Sequence, residues 1–255
     1  MNIRQSQILE LIEKNERASI ADIRETFRVS EMTVRRDLVY LEDHGYVTRI
    51  HGGVIAKRKL FLDSTFSQRL KERIAEKKMI ASTATSLLEP GDNIILDTGT
   101  TTLYIAEELV KLDLVVTVAT TSLAVASTLF NSSIDVLIFG GFLRREIPDL
   151  FGPLTERNLQ DFHAHKLFMG CDGLTFEHGF FTSDLHLSKI EERMVTIADR
   201  VIVVTDSSKF GRKSFVRYAS TDLVHTIITD GGVGRKDAEG FRKRGVEVII
   251  ADTVE

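Results

Sequence analysis

The sequence predicts an α/β protein, with an N-terminal winged helix-turn-helix followed by a larger, mostly parallel α/β domain. Three observations carry this expectation. Before residue 57, three short stretches place apolar residues at helical spacing and lead into two β-forming segments joined by His51-Gly52-Gly53. Beyond about residue 90, short continuous apolar runs alternate with amphipathic ones, the pattern of strands covered by helices on both faces. The length of 255 residues, 43% of them apolar, allows one large or two modest domains with a real core.

Taken in order, Ile8, Leu11 and Ile12 form the apolar stripe of a first helix over Arg4–Asn15. Ser19 caps a second, SIADIRETF, whose Ile20, Ile23 and Phe27 face inward. A tight turn, Arg28-Val29-Ser30, leads into a third helix capped by Ser30, where Val34, Leu38 and Leu41 fall at i, i+4 and i+7. On a helical wheel Met32 and Arg36 point directly away from that stripe, with Thr33 and Arg35 on its flanks. Gly45 ends the helix, and Tyr46–Ile50 with Val54–Ile55 make a small hairpin, or wing. Helix, helix, three-residue turn, helix and hairpin is the order that places the last helix in the major groove of DNA. Arginine suits that groove because its planar fork bonds the O6 and N7 of guanine or clamps a phosphate. Arg49 and His51 on the wing would then touch the backbone or minor groove. The bland alternative for Arg35 and Arg36 is a solvated pair on an ordinary helix, which the two upstream helices outweigh.

Lys57-Arg58-Lys59 and Leu60-Phe61-Leu62 read as a basic linker running into a hydrophobic anchor, and they divide residues 1–57 from 58–255. One long helix is expected over about Thr65–Leu88, ending at Glu89-Pro90-Gly91. Strands follow at Asn93–Asp97, Leu114–Val118, Asp135–Phe139, Lys166–Met169, Val201–Thr205, Thr226–Thr229 and Val246–Ile250. Helices alternate with them at Thr101–Val110, Leu123–Phe130, Leu154–Asp161, Asp184–Ala198 and Lys236–Arg244. No internal repeat or low-complexity segment interrupts the pattern.

Composition narrows the class. The polar, charged N-terminus has no signal-peptide pattern, and no apolar run approaches the roughly 20 residues of a membrane span. One cysteine, Cys171, excludes an intramolecular disulfide and fits a reducing cytoplasm. The net charge of −4 is unevenly held: residues 1–62 carry 11 basic and 9 acidic side chains, so the acidic excess belongs to the rest. Addressing DNA must therefore rely on local arginines rather than bulk charge, with non-specific binding that is weak and lost with added salt.

In a parallel sheet, ligands sit beyond the carboxyl ends of strands. Asp97-Thr98-Gly99-Thr100-Thr101-Thr102 follows the first strand and opens a helix. Gly99 permits close backbone approach, three hydroxyls can donate, and a helix N-terminus favours an anion such as phosphate. Plain capping by Thr100 or Thr101 is the competing reading. The second strand delivers Ala119-Thr120-Thr121-Ser122, and the third Gly140-Gly141 with Arg144-Arg145, a second possible anion clamp, although Arg145 could equally pair with Asp149. Asp172, between Gly170 and Gly173 in the GCDG loop, could accept hydrogen bonds from a polyol or be an ordinary turn aspartate. Lys189 lies in the following helix, and Lys209 in DSSK could neutralise phosphate.

The residues also carry a family resemblance. RQSQILELIEKN and SIADIRETFRVSEMTVRRDLVYLEDHGYVTRIHGGV resemble the N-terminal signature of the DeoR family of bacterial sugar-catabolism repressors. DTGTTT, GPL at Gly152–Leu154, GCDGL, EHGFFTSD and DSSKFGR are landmarks of the same family, so the resemblance covers essentially the whole chain. It implies Thr33, Arg35 and Arg36 as contacts to double-stranded operator DNA, with Arg49 and His51 near the backbone. It also implies a C-terminal domain similar to ribose-5-phosphate isomerase that binds a phosphorylated sugar and thereby weakens operator binding. A homodimer or homotetramer would present two winged modules to two half-sites. Two positions depart from the family pattern: Thr121 replaces the usual Asn, and Cys171 a common Ala.

The competing class is a sugar-phosphate isomerase with an appended DNA-binding module, in which Asp172 and Lys189 would supply acid/base chemistry. No glutamate is visibly placed as a base. There is no Walker loop, no dinucleotide fingerprint at Gly231-Gly232-Val233-Gly234, and no hydrolase elbow. His163 and His165 lack partners at ligand spacing, so no metal or other cofactor is expected.

Overall fold

The computed structural model describes residues 3–15, 17–43, 46–50, 52–56, 63–144 and 147–252. The chain divides into two compact units, Met1–Phe61 and Leu62–Glu255.

The first unit holds α1 (Ile3–Asn15), β1 (Arg17–Ser19), α2 (Ile20–Phe27), α3 (Glu31–Asp43), β2 (Val47–Ile50) and β3 (Gly53–Ala56). Ser19 starts α2 through a capping box: its hydroxyl accepts from the Asp22 N–H while the Asp22 carboxylate accepts from the Ser19 N–H. Arg28, at φ 51°, closes α2 in the left-handed region and turns the chain into α3. Ile8, Ile12, Ile23, Val34, Leu38 and Leu41 are buried together, as their helical spacing required. One element is new. β1 pairs antiparallel with β3, so the wing is three-stranded in the order β1-β3-β2. Three residues carry too little periodicity to announce a strand by themselves.

The second unit begins with α4 (Asp63–Lys71) and α5 (Ile74–Thr85), not with one long helix over 65–88. Arg73, at φ 49°, breaks the run in the left-handed region without any glycine or proline to mark the place. The break is fixed by tertiary contacts. The buried Lys77 ammonium donates to the carbonyls of Arg69 and Glu72 at the end of α4, and Tyr104 donates to the carbonyl of Leu70.

β4 (Asn93–Leu96), α6 (Thr100–Leu109), β5 (Thr117–Thr120), α7 (Leu123–Leu129) and β6 (Asp135–Ile138) then alternate. A two-stranded ribbon, β7 (Phe142–Arg144) and β8 (Asp149–Phe151), leads to α8 (Pro153–Leu159) and β9 (Ala164–Met169). β10 (Gly173–Thr175), β11 (Gly179–Thr182), α9 (Leu185–Thr196), β12 (Ala198–Val204), β13 (Val216–Ala219), β14 (Thr226–Asp230), α10 (Arg235–Arg242) and β15 (Glu247–Ala251) complete the unit. Seven strands form a parallel sheet in the order β15-β14-β12-β9-β4-β5-β6. Alternation along each strand feeds two cores. Ile95, Leu167, Met169 and Val203 face Ile190, Met194 and Phe241 on one side. Ile94, Phe168, Ile202 and Val204 face Ile80, Ile105 and Leu109 on the other. β10, β11 and β13 form a separate antiparallel sheet, where a Cβ on Gly179 (φ +93°) would meet the Ala219 carbonyl oxygen at 2.2 Å.

The strand order carries the functional consequence. From β4 the chain winds outward through β5 and β6, then returns to β9 on the other side of β4 and winds away through β12, β14 and β15. The reversal lies between β4 and β9, where an open α/β sheet leaves a crevice at its carboxyl edge.

Candidate functional site

In the first unit, α3 presents the polar face that its sequence spacing required. Ser30 accepts from the Thr33 N–H at 3.3 Å and shares a 2.9 Å hydrogen bond with the Thr33 hydroxyl, fixing the start of the helix. Met32 is 65% exposed, and Arg35 and Arg36 are exposed beside it. Arg35 forks onto Glu31 at 2.7 and 2.9 Å, and Arg49 on β2 bonds Glu42 at 2.6 Å. No hydrogen bond or ion pair holds Arg36 among the described residues. Exposed pairs of this kind are worth little, so a phosphate can compete for either guanidinium. His51, Gly45 and the segment 57–62 lie outside the described residues. Sequence reasoning missed the contact that sets α3 against α1: the buried Asp37 accepts from Arg4 Nε at 2.7 Å and from Gln5 Nε2 at 3.1 Å.

In the second unit a cavity of about 310 Å³ opens at the β4/β9 reversal. Its wall takes Asp97–Thr101 from the end of β4, Gly170–Asp172 from β9, Thr182–Asp184 from β11 and Thr205, Asp206, Ser208 and Lys209 after β12. Of the residues expected from sequence, Asp97, Thr98, Gly99, Thr100, Thr101, Asp172 and Lys209 meet here. No side chain caps α6, so its first-turn N–H groups beside Thr100 and Thr101 remain open to a ligand or water. Lys209 is half-buried and has no ion pair among the described residues. Together these donors suit a phosphate or carboxylate.

Six expected residues do other work. Thr102 is fully buried; its hydroxyl accepts from the Gly99 N–H at 3.0 Å and donates to the Asp97 carbonyl at 2.7 Å. It shapes the loop without lining the cavity. Thr121 is also buried, bonded to the Thr98 hydroxyl at 3.1 Å, and so supports the loop from behind. Arg144 is engaged by Asp149 and Asp184, tying the β7–β8 ribbon to the N-cap of α9. It is Arg144, rather than Arg145, that takes Asp149; Arg145 is outside the described residues. Gly141 and Gly173 allow backbone approach, since a Cβ would lie 2.6 Å from the carbonyl oxygens of Phe151 and Arg212 respectively. Lys189 points away, 59% exposed and paired with Glu192. A residue one position from the apolar stripe of α9 faces solvent, which its place in the sequence already implied.

Asp172 is more than a turn residue. It accepts from Arg69 Nη1 at 2.8 Å and from the Ser183 N–H and hydroxyl at 2.8 and 2.6 Å. Arg73 lies 3.4 Å from Asp206, so two arginines flanking the α4–α5 break pair with carboxylates of the wall. Sequence reasoning missed Arg69, Arg73, Lys77 and Glu191, all of which line the cavity. Arg69 and Arg73 carried a weak signal, being four residues apart. Glu191 carried a better one, standing on the apolar stripe Leu187, Ile190, Met194 and Val195 where a charge is out of place. Burial pushes Asp97 up to about 6 and Glu191 well above the usual carboxylate range, with Asp97, Asp172 and Asp184 adding to the rise at Glu191. Burial also pushes the Cys171 thiol up to about 12, which leaves it unreactive. Among the described residues no cluster of His, Cys, Asp or Glu could hold a metal ion, and no helix is long and apolar enough to cross a membrane.

With this geometry in view, residues 4–59 match the family described as the DeoR-like helix-turn-helix domain, and residues 72–231 that described as the DeoR C terminal sensor domain. An Escherichia coli O157:H7 protein, provisionally named a transcriptional repressor of the aga operon, is 35% identical over 97% of this chain and 93% of its own. The regulator YulB of Bacillus subtilis (strain 168) is 34% identical over 96% and 95%, and the transcriptional repressor GlcR of the same strain 31% over 96% and 94%. Among solved structures, ribose 5-phosphate isomerase A from Methanocaldococcus jannaschii superposes with a TM-score of 0.40 at 19% identity, over 52% of this chain and 53% of that one.

Proposed function

Because the chain belongs to the DeoR family of transcriptional regulators, we propose that it represses a carbohydrate-catabolism operon and leaves its operator when a phosphorylated sugar fills the cavity. Its family and named relatives are regulators of transcription, not enzymes. The observation that carries the effector half is the wall itself: an uncapped helix N-terminus, threonine hydroxyls and the unpaired Lys209 converge at the sheet's reversal, in the unit that matches a sensor domain.

In this reading residues 1–57 address double-stranded DNA and residues 58–255 sense the sugar. Thr33, Arg35 and Arg36 on α3 read or clamp the operator, with Ser30 and Met32 framing the start of the helix and Arg49 and His51 reaching the backbone. Thr98–Thr101 and Lys209 take the phosphate, while Asp172 faces sugar hydroxyls. An arriving phosphate competes with Asp172 and Asp206 for Arg69 and Arg73. Those arginines flank the break between the first two helices of the sensor, so their ion pairs are the switch that the ligand resets. Repression requires the ligand to bind the two states with different affinity. The protein works in the cytoplasm as a homodimer or homotetramer, which sets two α3 helices at half-site spacing.

The test pairs a thermal-shift screen of sugar phosphates with gel shift on the neighbouring promoter. A sugar phosphate that raises Tm and displaces the protein from DNA is expected. Displacement by none of the panel would overturn the effector reading, and failure to bind any neighbouring promoter would overturn the repressor reading.

A further inference from the structure

Two side chains of the cavity wall are not explained by binding an anion. Asp97 and Glu191 are 2% and 3% exposed, and both line the cavity. Each keeps one carboxyl oxygen, Asp97 Oδ1 and Glu191 Oε2, with no hydrogen-bond partner. Buried polar atoms are ordinarily satisfied, and an orphan that faces a cavity is a place where a ligand atom belongs. The fold does not need an acid at either position. Thr102 braces the β4–α6 turn through the Asp97 main chain, and the stripe of α9 would pack equally well around an apolar residue at 191. Nor is a cation dedicated to them: Arg144 is engaged by Asp149 and Asp184, Arg69 by Asp172 and Arg73 by Asp206. The cavity is therefore two-signed. Cations come from α4, the α4–α5 break and the segment after β12, and orphan acids from the end of β4 and from α9.

We propose that Asp97 and Glu191 read the non-phosphate end of the effector through its hydroxyls, and so restrict the site to sugar monophosphates that carry no second negative charge. The inference rests on the sugar-phosphate reading given above. A hydroxyl both donates and accepts, so it satisfies an ionised carboxylate and a protonated one alike. A carboxylate or second phosphate at that end meets like charge in a poorly solvated pocket and leaves the orphan oxygens without donors. Sugar acids and bisphosphates are rejected by this repulsion rather than by size.

The experiment is isothermal titration of the full chain with hexose 6-phosphates and pentose 5-phosphates. Each is set beside the aldonic acid phosphate of the same carbon count and the corresponding bisphosphate. The best monophosphate is expected to bind at least about tenfold tighter than its acid and its bisphosphate. The isosteric variants Asp97→Asn and Glu191→Gln test the assignment, each first shown to melt cooperatively. Asp97→Asn should narrow the gap to about threefold or less, while Glu191→Gln weakens the monophosphate itself. An acid or bisphosphate that binds wild type as tightly as the monophosphate overturns the inference and leaves the sugar-phosphate reading standing. A gap that neither variant changes also overturns it. Binding of no phosphorylated sugar at all overturns both.

Discussion

Asp97 is the residue whose chemistry is most exposed to test. Its value in the folded protein, about 6, lies above the ordinary 3.8, because burial disfavours the charged form. The folded state thus holds the proton more tightly than the unfolded chain does. That stabilisation is complete below about pH 4 and is lost as pH rises through 6, amounting to about 3 kcal/mol in all. Asp97→Asn should therefore flatten the decline of Tm with pH between 4 and 7, and the variant should melt above wild type at pH 8. A wild-type Tm that rises across that window would contradict the buried carboxyl. Thr102 makes the converse point, since its hydroxyl serves the backbone and not the cavity. Thr102→Val is expected to cost about 1–2 kcal/mol in denaturant unfolding, because it orphans the Gly99 N–H. On the other unit, Arg36→Ala should weaken operator binding by at least about tenfold in gel shift, since nothing in its own unit occupies that guanidinium. Which residue types matter was legible at this scale. What each does was not: a run of three threonines looks uniform in sequence, yet Thr100 and Thr101 line a cavity and Thr102 faces the core.

Elements were legible where one period ran long enough. The apolar runs at 93–97, 135–139 and 201–205 are strands because β-branched and aliphatic residues without interruption suit a sheet covered on both faces. The break between α4 and α5 was not legible, because both flanks are good helix formers and the cause is Lys77 reaching the carbonyls of Arg69 and Glu72. Burial lowers the Lys77 ammonium, against the opposing pull of Asp206 and Glu72. Lys77→Met should leave those carbonyls unsatisfied and destabilise the second unit by about 1–3 kcal/mol in chemical denaturation. If the variant matches wild type, water replaces the ammonium and the break does not depend on it. The β4–α6 turn gives a separate test. Replacing Thr100 and Thr101 with valine should weaken sugar-phosphate binding, so that the operator stays occupied at effector concentrations that release wild type.

At the scale of the whole molecule, a net −4 chain binds DNA only if charge is placed locally. Operator affinity should fall steeply with salt, and Arg36→Ala should reduce the slope of log K against log salt if that residue contacts phosphate, but not if it contacts base. Two α3 helices in one homo-oligomer would also make binding sensitive to half-site spacing. Inserting about five base pairs between half-sites, half a helical turn, should abolish cooperative binding. Unchanged binding would mean that a single module suffices.

By itself the sequence determined the class of each unit, the helix that faces DNA and the hydroxyl-rich turn after the first buried strand. These are local, and short-range periodicity and capping encode them. Only the tertiary structure decided that β9 returns beside β4, which makes the crevice, and that Arg69, Lys77, Asp172, Glu191 and Lys209, up to 140 positions apart, share one wall. Strand order and side-chain pairing come from burying two sheet faces at once, a condition on the whole chain that no window of neighbouring residues contains.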